Sequence, residues 1–96
     1  MINDRLLTIK REEILRVAAQ HGANNVRVFG SIARGEAKSN SDVDLLVAME
    51  DGRSLLDLVA LWQDLEELLG CKVDVISEGG ISPYLRERIL AEALPL

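Results

Sequence analysis

The sequence predicts an α/β fold in which a small mixed sheet of three or four strands is flanked by helices, in the order α-β-α-β-α-β-α. Three observations predict it. Short runs of β-forming residues at 26–29, 43–49 and 72–76 are bounded by Gly, Ser, Asn or charge, as strands usually are. Apolar residues at helical spacing fill the stretches around them, with capping residues and glycines as boundaries. The connection between the second and third runs is long enough for a helix, which implies parallel pairing there, whereas the first two runs can pair as antiparallel neighbours.

Each element has its own local signal. The first helix is expected over 9–20, with Thr8 as N-cap and Gly22 as its stop. Ile14, Val17, Ala18 and His21 share one stripe of it. His21 falls in the last turn, where an imidazole meets the negative end of the helix dipole, so it reads as a capping or surface residue in preference to a catalytic base. The strand at 26–29 runs into Gly30-Ser31, which is expected to open a short helix at 32–35. That places backbone N–H groups and a hydroxyl at a helix start, an arrangement suited to anions. The polar loop 36–41 follows, with clear turn chemistry in Lys38-Ser39-Asn40-Ser41.

After the strand at 43–49, Glu50-Asp51-Gly52 makes a turn. Ser54, with Asp57 three residues on, forms a capping box for a helix that runs to Leu69 and stops at Gly70. Leu55, Leu58, Leu61, Trp62, Leu65, Leu68 and Leu69 cover more than one face of this helix, which predicts that it is the most buried. Trp62, set within a leucine stripe, reads as core rather than as a platform for a nucleobase. The strand at 72–76, a turn at Glu78-Gly79-Gly80 and a last helix complete the chain, with Ser82 as N-cap, Pro83 at the first position and an end near Ala93-Leu94. Glu12, Glu13, Glu66, Glu67, Arg86, Glu87 and Arg88 read as solvated faces.

Composition bounds the function. The chain has 96 residues, enough for one domain over 1–96 and too few for a deep cleft between domains. A formal charge of −5 argues against long DNA or RNA as a partner, since phosphate affinity comes largely from Lys and Arg. No run approaches the length of a membrane span, and the first residues are interrupted by charge, so neither a membrane nor a secretory route is expected and the setting is predicted to be cytoplasmic. The single cysteine, Cys71, has no disulfide or zinc partner and reads as a small buried hydrophobe.

Three carboxylates carry the chemistry. Asp42 and Asp44 are two apart on an extended chain, so both project from one face with their Cα atoms roughly 6 to 7 Å apart. Such a pair suits a hard divalent ion such as Mg²⁺, which takes one or two carboxylates and leaves positions for water and phosphate. An antiparallel return after Gly30-Ser31 brings the anion site beside this pair. Asp74, among apolar neighbours of the third strand, is costly unless it has a purpose, and parallel pairing puts it at the same edge.

Gly30-Ser31, ten residues, Asp42-Val43-Asp44 and a later Asp74 resemble the signature of the DNA polymerase beta superfamily of nucleotidyltransferases. The similarity is nearest to its minimal nucleotidyltransferase (MNT) domains. The resemblance implies the nucleotidyltransferase fold and transfer of AMP from ATP by a site holding two Mg²⁺ ions, roughly 3.5 to 4 Å apart in such sites. It implies that Asp42, Asp44 and Asp74 are metal ligands, Asp74 also helping to draw the acceptor's proton, while Ser31 and the Gly30 backbone grip the terminal phosphates. Arg34, one turn after Ser31, reads either as a further phosphate contact or as an arginine paired with Glu36. MNT domains commonly pair with helical HEPN-domain toxins, which implies an antitoxin that adenylylates a partner hydroxyl, tyrosine foremost. A non-catalytic antitoxin of the same fold, acting by binding alone, is the alternative.

Overall fold

A computed structural model describes residues 4–38 and 41–96. Ser39 and Asn40 of the expected loop lie outside the described residues.

The first helix, α1 (Arg5–Gln20), begins earlier than Thr8 suggests. Asp4 is the N-cap, its carboxylate accepting from the Leu7 N–H at 3.0 Å, and the Thr8 hydroxyl donates back to the Asp4 carbonyl from inside the first turn. Both are capping residue types. The difference is Leu7, which is fully buried and extends the apolar stripe of Ile14 and Ala18 by two turns. The His21 N–H caps the helix end by donating to the Ala18 carbonyl, while its ring nitrogen pairs with Asp64 at 2.6 Å.

Strand β1 (Ala23–Phe29) leads into α2 (Gly30–Ala33), which starts two residues before the expected position. Strand β2 (Val43–Met49) has the predicted bounds. Helix α3 (Leu55–Leu69) has the predicted capping box: the Ser54 N–H donates to Asp57 at 2.8 Å, and the Ser54 hydroxyl accepts from the Leu56 N–H at 3.2 Å. Strand β3 (Val73–Ser77), a 3-10 turn (Glu78–Gly80) and α4 (Pro83–Glu92) follow. Ser82 makes no side-chain cap bond, so Pro83 alone marks that start. The last helix stops at Glu92, and the chain turns into a fourth strand, β4 (Leu94–Pro95).

The sheet order is β3-β2-β1-β4. β1 is antiparallel to β2 and to β4, and β2 is parallel to β3. Pro95 cannot donate to a ladder, and it sits on the outermost strand, where that costs least.

Strand alternation separates two cores. Val26 and Val28 of β1, Val43, Leu45 and Val47 of β2, and Val73 and Val75 of β3 point to one face, where they meet Leu7, Ile14 and Ala18 of α1 and Leu61, Leu65 and Leu69 of α3. On the other face Phe29 and Leu46 meet Ile81 and Ile89, the latter from α4. Only one stripe of α3 is buried. Leu55 and Leu56 are 72% and 79% exposed, but from Asp57 onward most of the helix is buried or half-buried, and it is more enclosed than α1 or α4, as its apolar positions predict. Trp62 packs partly buried against the main core, as its place among leucines suggests.

Candidate active site

The two-residue period of β2 decides where the carboxylates face. Val43, Leu45 and Val47 face the main core, so Asp44 shares the opposite face with Leu46, the face that carries α4. In the ladder Asp44 lies opposite Phe29, the last residue of β1, and opposite Asp74 on β3. The end of β1, the start of β2 and the start of β3 therefore meet at one sheet edge.

A cavity of about 420 Å³ opens there. Its sheet side is formed by Gly30, Ser31, Arg34, Asp42 and Asp44. Helix α4 closes the other side with Leu85, Arg88, Ile89 and Glu92. The structure thus brings five of the six predicted site residues to one cavity. Asp74 stands beside Asp44 in the ladder and does not line the cavity wall.

Gly30 is required by geometry. Its φ is +74°, in the left-handed region, and a Cβ added there would collide with the Asp44 carboxylate. The turn and the carboxylate pair are built against each other. The Gly30 N–H donates to Glu92 Oε1 at 2.9 Å. Arg34 is paired with Glu36, as one of its readings expects: its Nε donates to Glu36 at 2.9 Å and its Nη1 to both Glu92 oxygens at 3.2 and 3.3 Å, and it lines the cavity. The bonds to Glu36 and Glu92 raise its pKa above the usual arginine value.

The electrostatics fit a divalent cation. Burial, then the charges of Asp74 and Asp42, push the Asp44 carboxyl up to about 6. Among the described residues no cation stands within ion-pair distance of Asp44, and Asp42 has Lys72 only at 3.8 Å, with both side chains open to solvent. The Arg34 charge offsets only part of the repulsion. No three His, Cys, Asp or Glu side chains among the described residues are placed to enclose an ion. A site of this kind leaves coordination positions to water and substrate oxygens, as Mg²⁺ sites do.

Helix α4 is what sequence reasoning missed. Arg88 reads as solvated from its neighbours, and Glu92 carries no local signal, since its partner Gly30 is 62 residues away. His21 and Cys71 line no part of this cavity. Burial raises the Cys71 thiol pKa above the ordinary value, in keeping with an unreactive residue.

Residues 11–96 match the family model of the nucleotidyltransferase domain. The chain belongs to the nucleotidyltransferase domain family. Archaeal relatives of this nucleotidyltransferase carry the name protein adenylyltransferase. One from Methanocaldococcus jannaschii, provisionally named protein adenylyltransferase MJ0435, is 49% identical over 86 residues, covering 90% of this chain and 91% of its own. A solved structure described, again provisionally, as a minimal nucleotidyltransferase is 55% identical with a TM-score of 0.83 over 98% of both chains. The nucleotidyltransferase also shares its fold with a chain from the complex of tri-AMPylated Shewanella oneidensis HEPN toxin and MNT antitoxin, at 18% identity and a TM-score of 0.71 over 92% of this chain and 69% of that one. The mixed four-stranded sheet with flanking helices is therefore the nucleotidyltransferase fold, and the chain is a nucleotidyltransferase similar to proteins named protein adenylyltransferases.

Proposed function

We propose that this nucleotidyltransferase moves AMP from ATP, with Mg²⁺, to a hydroxyl of a HEPN-type partner toxin, tyrosine foremost, and so acts as its antitoxin in the cytoplasm. One observation carries the reading: Asp42 and Asp44 share a cavity with the Gly30-Ser31 turn, so groups suited to metal and to phosphate meet at one place. The Shewanella complex, in which an AMPylated HEPN toxin is bound to an MNT antitoxin, supports the choice of partner.

In this reading Asp42 and Asp44, with Asp74 behind them, hold the metal. The ions would neutralise the charge that develops on the α-phosphate and on the leaving pyrophosphate. Ser31 grips the terminal phosphates, and Gly30 contributes the room for their close approach. Arg34 has Nε and Nη1 engaged by carboxylates, and its Nη2, without a partner among the described residues, would meet a phosphate oxygen. The acceptor oxygen bonds to the α-phosphorus as the bond to the β-phosphate oxygen breaks. Its proton passes to the carboxylate cluster, with Asp74 as acceptor. The partner's surface closes the open side of the cavity, and the AMP it receives adds charge and bulk that would block an RNA-binding cleft.

Incubation with Mg²⁺, a co-expressed HEPN partner and ATP labelled at the α- or the γ-phosphate tests this. Label from the α-phosphate only should appear on the partner, as an added AMP that Asp44→Asn abolishes. A partner that carries no adduct and is silenced equally by the Asp44→Asn chain would establish the alternative, inhibition by binding alone.

A further inference from the structure

Glu92 joins two groups of the candidate active site from outside the motif that defines it. It is the last residue of α4 and its side chain is 18% exposed. One carboxylate accepts from the Gly30 N–H at 2.9 Å and from Arg34 Nη1 at 3.2 and 3.3 Å. Phe29, which precedes Gly30, offers no side-chain cap, so the N–H at this tight turn depends on an acceptor from elsewhere in the chain. Glu92 is itself held in place. Two residues later Leu94 pairs with Val28 on β1, the strand whose end is the Gly30 turn. β1 anchors β4, β4 sets the end of α4, and the end of α4 holds the turn that follows β1.

We propose that Glu92 is a positioning residue for nucleotide binding: it fixes the Gly30-Ser31 turn and the Arg34 guanidinium in the orientation that receives the phosphates. This rests on the nucleotidyl-transfer reading of the cavity. Glu92 touches no reacting atom in this arrangement. Its effect passes through Ser31, next in chain to Gly30, and through Arg34, whose Nη1 is tied back while its Nη2 makes no hydrogen bond among the described residues. A carboxylate also neutralises part of the Arg34 charge, so the opposite outcome is physically open: Glu92 could merely occupy the phosphate position, and its removal would then improve binding.

Three chains decide between these: the wild type, Glu92→Ala and Glu92→Gln. Hydrogen exchange of the Gly30 amide reads the strut without nucleotide, and calorimetric titration with ATP and Mg²⁺ reads binding. In Glu92→Ala the Gly30 amide should lose protection and ATP affinity should fall about tenfold, the scale of one lost charge-assisted hydrogen bond. KM should rise with kcat within a few-fold. Glu92→Gln keeps an acceptor oxygen for Gly30 and should recover most of both losses. Tighter ATP binding by Glu92→Ala would overturn the proposal, and so would unchanged affinity accompanied by a lower Tm, which would make Glu92 a brace of the fold alone. A wild type that protects Gly30 yet binds no ATP would overturn the nucleotidyl-transfer reading, and the role of Glu92 with it.

Discussion

Asp44 is the residue on which stability and activity pull in opposite directions. Its carboxyl is raised from 3.8 to about 6, so the folded chain holds a proton there that the unfolded chain has released. For an acid raised in this way stability falls as pH climbs from about 4 to 6, and above that range the full cost applies. Asp44→Asn should therefore abolish transfer while raising the metal-free stability at pH 7.5 by up to about 1 kcal/mol, solvent screening having reduced the rest. The gain should vanish at pH 4. Melting curves without Mg²⁺ at both pH values check it, and a clear loss of stability at pH 7.5 would make Asp44 a structural carboxylate. The turn gives a second residue-scale contrast. Gly30→Val should impair ATP-dependent turnover far more than Ser31→Ala, because it adds the collision with Asp44 to a positive φ, itself worth about 1 to 3 kcal/mol of strain. Normal turnover by Gly30→Val would place the triphosphate elsewhere. At this scale the motif was legible: Gly30, Ser31, Asp42 and Asp44 lie within 15 consecutive residues, and the two-residue period of an extended chain puts Asp42 and Asp44 on one face.

Elements were legible where their boundary chemistry is local. Ser54 with Asp57 and the stop at Gly70 bound α3 as read, because a capping box and a left-handed terminal glycine involve only near neighbours. The beginning of α1 was not, because two capping types compete and only the tertiary burial of Leu7 decides for Asp4. The last turn of α4 failed for a similar reason. Ala93 and Leu94 are reasonable helix residues, and what stops the helix is the pairing of Leu94 with Val28 on β1. Helix and site are separable in α3. Ser54→Ala should cost about 1 kcal/mol, the usual worth of an N-cap, and Leu65→Ala about 2 to 5 kcal/mol, both with kcat/KM unchanged below the melting transition. Denaturant unfolding combined with turnover tests the pair, and a matching loss of kcat/KM in Ser54→Ala would tie α3 to the cavity.

At the scale of the whole molecule, binding and folding are one equilibrium. A ligand that takes only the folded chain stabilises it by about 2.7 kcal/mol at a hundredfold excess over Kd. ATP with Mg²⁺ should therefore raise the Tm of the wild type by several degrees and leave that of Asp42→Asn nearly unmoved. An equal rise in both would remove Asp42 from the metal site. The architecture was legible from the alternation of elements, but the α4 side of the cavity was not, since it depends on contacts between residues far apart in the chain. The segment after α4 is stitched to two other elements. The Leu96 N–H donates to the Val26 carbonyl at 3.1 Å, and the Leu96 carbonyl accepts from Arg11 Nε at 2.9 Å, four residues beyond the carboxylate that braces the Gly30 turn. A disturbance at Leu96 would thus reach the Gly30 turn through backbone alone and loosen nucleotide binding without altering a single side chain of the cavity.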